Sequence, residues 1–166
     1  ISGGAGNDTI TGFVGLDTID GGADTDTFIL TATLTALNGA GDSQLANLEA
    51  VSAATVTTAV TISLSTQLEG FSITGGSVND LLTGGLGADS FTGGLGNDNI
   101  TGGAGNDVFY EFAGADTVTG GADTDTIVLT ATSPNLNGAG DGLIVSVEAI
   151  DASSTTGGVT ITLTNQ

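Results

Sequence analysis

A nine-residue unit of the form Gly-Gly-x-Gly-x-Asp-x-apolar-x recurs along this chain and constrains its fold more than any other feature. Clear copies begin at Gly3, Gly84, Gly93 and Gly102. Each copy places one carboxylate after a glycine-rich turn and one apolar side chain two residues later. Because a fixed short period is the signature of a repeat architecture, the unit predicts a solenoid built from short, similar turns.

The nonapeptides form two runs, here called cassettes. The start positions of the two runs are Gly3, Gly12 and Gly21, and then Gly75, Gly84, Gly93, Gly102, Glu111 and Gly120. A second period of 99 residues places Asp26 on Asp125 and Glu49 on Glu148 without a gap. We therefore divide the chain into the end of a cassette (1–29), a β-rich spacer (30–74), a complete six-unit cassette (75–128) and a truncated second spacer (129–166). Since the chain begins at Ile1 and contains no Met, we expect a longer parent protein.

The spacers carry strand signals of their own. Residues 60–64, 71–74 and 159–163 alternate apolar and polar side chains and are rich in Thr, Val and Ile, which is typical of half-buried strands. Residues 43–50 are compatible with a helical turn capped by Asp42, but we favour a strand there and in the second copy. We predict that the spacers form further coils without metal in one continuous solenoid, with small separate β modules as the alternative.

Composition excludes several classes of function. The 166 residues include 19 acidic side chains and no Lys, Arg or His, so the net charge is −19, which argues against binding to nucleic acid or to anionic membranes. No run of eighteen apolar residues is present, so we expect no membrane insertion. The chain also lacks Cys. Because most side chains used in catalysis are missing, we predict that it is not an enzyme.

The carboxylates have no oppositely charged side chain available to them, and a metal cation is the natural counter-charge. Calcium takes six to eight oxygen ligands from carboxylates and backbone carbonyls, and glycine-rich turns can direct such carbonyls toward one point. One turn is too small to complete that shell, whereas two stacked turns are sufficient. Two nonapeptides make one coil of 18 residues, so loops 18 residues apart should stack. The predicted stacked pairs are Asp8–Asp26, Asp80–Asp98, Asp89–Asp107, Asp98–Asp116 and Asp107–Asp125.

The same geometry assigns roles to two sets of residues. The apolar residues at position eight should line the core: Ile10, Ile19, Phe28, Leu82, Phe91, Ile100, Phe109, Val118 and Ile127. The candidate carboxylate ligands of several Ca²⁺ ions are Asp8, Asp17, Asp26, Asp80, Asp89, Asp98, Asp107, Asp116 and Asp125, with Asp24 and Asp123 as extra carboxylates at the cassette ends. The candidate backbone ligands are Gly3, Gly4, Gly6, Gly21, Gly84, Gly85, Gly87, Gly93, Gly94, Gly96, Gly102, Gly103, Gly105 and Gly120.

These units resemble the RTX (repeats-in-toxin, haemolysin-type) calcium-binding nonapeptide over residues 3–29 and 75–128. The resemblance implies an all-β fold, a right-handed parallel β-roll with Ca²⁺ along both edges. It also implies secretion from a bacterium through a one-step exporter and folding only outside the cell. The sequence departs from the consensus where Gly12-Phe13 and Glu111-Phe112 replace the glycine pair, and where Val78, Asp24 and Asp123 replace the glycine at position four. Those loops are expected to bind calcium weakly or not at all.

The remaining acidic and aromatic residues receive simpler interpretations. We expect ordinary turn or surface positions for Asp20, Asp42, Asp141 and Asp151. We expect Glu49 and Glu148 to face solvent, and Phe13 and Phe112 to pack in the core.

Together these observations predict a calcium-dependent structural segment of a large secreted bacterial surface protein, such as a surface layer, a matrix fibre or an adhesin stalk. Its partners would be copies of itself in a longer array at the cell surface. The alternative is a C-terminal module that supports secretion and folding of an enzyme or toxin. Ice or glycan binding by a flat outer face is a weaker third hypothesis, since no unbroken row of Thr is present.

Overall fold

Sixteen short strands and two 3₁₀ turns make up the regular structure in the computed structural model, which describes residues 1–14, 17–33, 37–110, 114–130, 143–155 and 159–160. The strands are β1 Ser2–Ala5, β2 Thr9–Ile10, β3 Ile19–Ala23, β4 Thr27–Ile29, β5 Leu45–Ala46, β6 Ala50–Ser52, β7 Thr61–Ser63, β8 Ser72–Thr74, β9 Leu81–Thr83, β10 Ser90–Thr92, β11 Asn99–Ala104, β12 Val108–Tyr110, β13 Thr117–Ala122, β14 Thr126–Val128, β15 Ile144–Val145 and β16 Ala149–Asp151. The 3₁₀ turns are Leu37–Gly39 and Asp42–Gln44.

Successive strands of the chain alternate between two sides of a solenoid. One side is an eight-stranded parallel sheet in the order β16-β14-β12-β10-β8-β6-β4-β2. The other side has a three-stranded sheet, β1-β3-β5, and a five-stranded sheet, β15-β13-β11-β9-β7. All of these pairings are parallel, and the spacer strands β5 to β8 lie within the same sheets as the cassette strands. The predicted all-β solenoid, continuous through the spacer, is confirmed.

The register of the strands gives the length of each coil. Within the cassettes every residue pairs with the residue 18 positions further on, as Phe91 does with Phe109 in β10 and β12. Most coils that include spacer residues are longer, since Thr27 pairs with Ala50 and Ile19 with Leu45, although Ser72 at the end of the spacer again pairs with Ser90. The spacer therefore preserves the stack while it adds residues to the turns.

Apolar side chains fill the interior between the two sides. All nine residues predicted at position eight are buried, with at most 5 % of any side chain exposed. Phe91 and Phe109 stack with ring centroids 5.2 Å apart, and Phe13 packs edge-on against Phe28 at 6.2 Å. Val51 continues the same column through the spacer because it pairs with Phe28. Burial of this continuous apolar column stabilises the stack of coils.

The spacer strands agree in part with the sequence-based expectations. Strands β7 and β8 lie within the predicted segments 60–64 and 71–74, and β15 falls in the second-copy segment predicted as strand. Residues 43–50 contain both expected structures, because a 3₁₀ turn at Asp42–Gln44 precedes β5 and β6. The segment 159–163 lies mostly outside the described residues. Over the described ranges, no helix is long and apolar enough to cross a membrane.

Candidate metal centre

The aspartate at position six of most nonapeptides lies just before a strand, and its carboxylate accepts a hydrogen bond from the backbone of the preceding coil. Oδ1 of Asp107 accepts a hydrogen bond of 2.8 Å from the backbone N–H of Asp89, and Oδ1 of Asp125 accepts one of 2.9 Å from Asp107. The stacked pairs predicted from the sequence are confirmed as hydrogen bonds of this type: Asp8–Asp26, Asp80–Asp98, Asp89–Asp107, Asp98–Asp116 and Asp107–Asp125.

These aspartates form two columns because the strands that follow them belong to opposite sides of the solenoid. One column precedes strands of the eight-stranded sheet: Asp8, Asp26, Asp89, Asp107 and Asp125. The other column precedes strands of the five-stranded sheet: Asp80, Asp98 and Asp116. Carboxylates therefore line both edges where the chain passes from one side to the other.

The second carboxylate oxygen of most of these residues lies buried without a hydrogen-bond partner among the described residues. The atoms concerned are Oδ2 of Asp8, Asp26, Asp98, Asp107 and Asp125. A buried carboxylate oxygen is costly unless a cation or a donor compensates it. Because the chain contains no Lys, Arg or His, no basic side chain can supply that compensation, and a bound cation is well suited to supply it.

The protonation behaviour of the column leads to the same conclusion. Burial raises the pKa of Asp98 and of Asp125 above the usual value. The pKa of Asp107 is raised to about 7, mainly by burial and further by the nearby carboxylates of Asp89, Asp125 and Asp123. A bound divalent cation would reverse this effect, since it stabilises the ionised carboxylates.

The first glycine of most nonapeptides packs tightly against oxygen atoms of its own loop and of the next coil. A Cβ atom added to Gly3 would meet Oδ2 of Asp8 at 2.6 Å and the carbonyl oxygen of Gly21 in the next coil. At Gly102 the equivalent contacts are Oδ2 of Asp107 and the carbonyl oxygen of Gly120. The carboxylate oxygen of the glycine's own loop and a carbonyl oxygen of the next coil thus lie side by side against the first glycine, where a larger residue would collide with both.

This donor set fits calcium. The described residues contain no group of three or more carboxylates close enough to hold a metal together. A cation in this position would therefore take the majority of its ligands from backbone carbonyls, with one or two from aspartates. Calcium accepts such mixed oxygen shells in flexible geometry, whereas zinc and similar ions favour nitrogen and sulfur ligands that this chain lacks.

The nonapeptide loops described in full exist in two hydrogen-bonding states. In the closed loops, 75–80 and 84–89, the backbone N–H of the second glycine donates to the aspartate of its own loop, with Gly85 N to Asp89 Oδ2 at 2.7 Å. In the open loops the second glycine adopts a left-handed φ, as at Gly103 (122°), and Oδ2 of the aspartate has no such donor. The open loops are 3–8, 21–26, 93–98, 102–107 and 120–125.

Three predicted carboxylates depart from the main column. Asp17 is half-buried, and its Oδ2 accepts a hydrogen bond of 3.0 Å from Val14 in its own loop. Asp24 and Asp123 are exposed, with left-handed φ angles of 79° and 78°. Their carboxylates accept hydrogen bonds of 3.2 Å from the loop of the preceding coil. The structure thus places them at the outer rim of the candidate sites.

Glu49, which was expected to face solvent, is half-buried, whereas Glu148 is exposed as predicted, and both glutamates accept a hydrogen bond from the preceding coil. Oε2 of Glu49 accepts a hydrogen bond of 2.7 Å from the backbone of Asp26, and Oε2 of Glu148 accepts one of 2.9 Å from Asp125. Both glutamates therefore continue the carboxylate column beyond the last nonapeptide. Their recurrence at the 99-residue period was the signal in the sequence that pointed to a shared role.

Asparagine at position five forms an outer column that the sequence analysis did not identify. Oδ1 of Asn79 accepts a hydrogen bond of 2.9 Å from Asn97, and Oδ1 of Asn97 accepts one of 2.9 Å from Ala115. Asn106 bonds to Thr124 in the same way. The frequent Asn at position five was the available signal, and its role is to join coils rather than to turn the chain.

The remaining acidic and aromatic residues lie largely where the sequence predicted. Asp20 and Asp151 are exposed, and Phe13 is fully buried in the core. Asp42 does more than form a turn, because its Oδ1 accepts a hydrogen bond of 3.0 Å from Leu68 in the next coil. Phe112 and Asp141 lie outside the described residues.

Comparison with known protein families agrees with this geometry. The family model of the RTX calcium-binding nonapeptide repeat matches in four copies over residues 1–28, 74–109 and 112–131, about half of the chain. Searches of curated proteins and of solved structures gave no match. Proteins with these repeats bind calcium and are typically secreted. The chain belongs to the RTX calcium-binding nonapeptide repeat family.

Proposed function

We propose that this chain is a structural segment of a large extracellular bacterial protein, such as a surface layer, a matrix fibre or an adhesin stalk, and that calcium ions hold its coils together. The observation that carries the proposal is a set of buried aspartate oxygens that have no hydrogen-bond partner within the described part of a chain without basic side chains. The ions would bind near the first glycines, between the open loops and the coils that follow them.

Calcium would decide whether the chain folds. Nineteen negative charges on a narrow solenoid repel one another, and ordering many Gly and Thr residues is entropically costly. A site at a thousandfold excess of calcium over its Kd stabilises the folded state by about 4 kcal/mol. Since a typical domain has a net stability of about 5–15 kcal/mol, a few such sites are sufficient to convert a disordered chain into a folded one.

The architecture supports a structural role over a catalytic one. The eight-stranded sheet runs from one cassette to the other through the spacer strands β6 and β8, so repetition of the 99-residue unit would extend one continuous rod. Such a rod grows in length without needing a new core for each unit. Its partners would be further copies of the same unit, located outside the cell where calcium is abundant.

Circular dichroism with and without calcium tests the calcium-dependent part of the proposal. The chain should show strand signal in millimolar Ca²⁺ and lose it in excess chelator, and it should regain it when calcium is restored. Strand signal that persists unchanged in excess chelator would overturn the proposal. Small-angle scattering of one and of two 99-residue units tests the rod, since length should increase while the cross-section stays constant.

A further inference from the structure

The last nonapeptide loop of each cassette has an unusual neighbour. Four open loops precede strands of the eight-stranded sheet. Loops 3–8 and 102–107 stack on another nonapeptide, but loops 21–26 and 120–125 stack on the spacer turns that precede β6 and β16. These turns, Asn47-Leu48-Glu49 and Ser146-Val147-Glu148, are 99 residues apart in the sequence. Neither turn matches the nonapeptide consensus, so neither belongs to the predicted calcium sites.

The glutamate of each turn occupies the place of a position-six aspartate. The backbone N–H of Asp26 donates to Oε2 of Glu49 at 2.7 Å, and the N–H of Glu49 donates back to the carbonyl of Asp26 at 3.2 Å. In the second copy the same two bonds join Asp125 and Glu148, at 2.9 and 3.1 Å. The bond from the aspartate N–H to the glutamate carboxylate matches the bond within a cassette, where the N–H of an aspartate donates to the carboxylate of the aspartate in the next coil.

The backbone of the turns also resembles that of an open loop. Asn47 and Ser146 adopt left-handed φ angles of 49° and 50°, which are uncommon for residues other than glycine. Each lies two residues before the glutamate, as the glycine at position four of a nonapeptide lies two residues before its aspartate. Gly105, which holds that place in the loop 102–107, is also left-handed, with φ 103°.

Oxygen atoms from both coils converge beside the last nonapeptide. A Cβ atom added to Gly21 would meet the carbonyl oxygen of Asn47 and, at 2.6 Å, Oδ2 of Asp26. Asp26 is fully buried, and this Oδ2 has no hydrogen-bond partner among the described residues. The second copy is the same, with the carbonyl of Ser146 and the unpartnered Oδ2 of the fully buried Asp125 beside Gly120.

We propose that each cassette ends in a hybrid calcium site, in which Glu49 or Glu148 and the carbonyl of its spacer turn complete the shell begun by Asp26 or Asp125. The inference rests on the proposed calcium binding of the nonapeptide loops. Glutamate suits this role because its carboxylate can bind calcium through one or both oxygens. Such a site would fasten the spacer to the cassette through an ion, so the array would remain one rod across each boundary.

Counting bound ions tests the proposal. Glu49→Gln and Glu148→Gln keep an oxygen that can accept the N–H of the aspartate, but they remove the charge. Native mass spectrometry or equilibrium dialysis of the 166-residue chain in Ca²⁺ should show one ion fewer for each single variant and two fewer for the double variant. Asp151→Asn, at an exposed carboxylate outside the columns, is the matched control and should leave the count unchanged.

The possible outcomes separate this inference from the proposed function. A double variant that binds as many ions as the parent chain would overturn the hybrid sites and leave the nonapeptide sites in place. A parent chain that binds no calcium would instead overturn the proposed function. Circular dichroism in saturating Ca²⁺ verifies the fold of each variant, and Glu148→Gln tests the second copy independently if Glu49→Gln loses strand signal.

Discussion

Two loops with almost the same sequence differ in how their aspartates are held. The loop 84–89 reads GGLGAD and the loop 93–98 reads GGLGND, so they differ only at position five. In the first, Asp89 accepts hydrogen bonds from both Phe71 and Gly85, and both carboxylate oxygens are satisfied. In the second, Oδ2 of Asp98 lies buried without a partner among the described residues. The consensus alone therefore does not determine which loop needs a cation.

The two loops differ in the coil that precedes them. The second glycine of each closed loop lies against spacer carbonyls, as Gly85 does against Gln67. The second glycine of four of the five open loops lies against a preceding nonapeptide, as Gly103 does against the carbonyl of Gly85, and it adopts the left-handed φ. Gly4, which has no atom of another coil against it, is left-handed as well. The first coil after a spacer thus satisfies its own aspartates, and we expect calcium to bind from the following coil onward.

The largest loss of stability should come from adding a methyl group to the first glycine of an open loop. In Gly102→Ala the new methyl group would meet Oδ2 of Asp107 and the carbonyl of Gly120. Loss of the calcium site should lower the free energy of unfolding by about 4 kcal/mol. Overpacking should lower it further, by about 1–3 kcal/mol. Gly84→Ala makes the equivalent collision in a closed loop and should destabilise the fold without reducing the number of bound ions. Urea unfolding and ion counting in Ca²⁺ check both variants. An equal loss of ions in both would remove the distinction between the loops.

Neutralising one aspartate in each kind of loop should have opposite consequences when calcium is removed. Asp107→Asn should lower the free energy of unfolding in Ca²⁺ by about 4 kcal/mol, because one site loses its charged ligand. In calcium-free buffer the same change removes a buried negative charge, so strand signal should equal or exceed that of the parent chain.

Asp89→Asn is the matched variant in a closed loop. It leaves one of two buried N–H groups, that of Phe71 or Gly85, without an acceptor, so it should destabilise the fold by about 1–3 kcal/mol whether or not calcium is present. Circular dichroism and urea unfolding in both buffers measure these effects. If Asp107→Asn behaved like Asp89→Asn, the open loops would not be the calcium sites.

Protons should substitute in part for calcium. The pKa of Asp107 is about 7 in the folded chain, above its usual 3.8, so the folded chain holds a proton that the unfolded chain has released. The stability of the metal-free fold should therefore be highest below pH 3.8 and should fall as the pH rises through about 7. Strand signal in calcium-free buffer should increase from pH 8 to pH 4, and apparent calcium affinity should weaken over the same interval. Signal that decreases on acidification would contradict this.

The smallest effect is expected in the outer asparagine column. Asn106→Ala removes one exposed hydrogen bond to Thr124, which should cost about 1 kcal/mol without changing the number of bound ions. Ala88 naturally lacks this group in a closed loop, so Ala88→Asn is the complementary variant and should stabilise the fold by a similar or smaller amount. Urea unfolding in saturating Ca²⁺ resolves both changes, and a loss of ions from Asn106→Ala would show that the column belongs to the sites.

The fold and much of the candidate site could be predicted because nine- and eighteen-residue periods translate directly into geometry. The stacking of Asp89 under Asp107 and the burial of Phe91 follow from the period alone. The two loop states could not be predicted, because they depend on which backbone carbonyl lies against the second glycine. The role of Glu49 was missed for a related reason, because the sequence does not show which residue of the spacer comes into register with Asp26.

The most direct test of the account is a crystal structure of the chain grown in Ca²⁺, with the ions identified by anomalous scattering. We predict ions beside Gly3, Gly21, Gly93, Gly102 and Gly120, each bound by the aspartate of its open loop. We predict none beside Gly75 or Gly84, where the aspartates already accept backbone hydrogen bonds. Ions distributed equally over both kinds of loop, or an ordered solenoid without ions whose aspartates turn into solvent, would contradict the account.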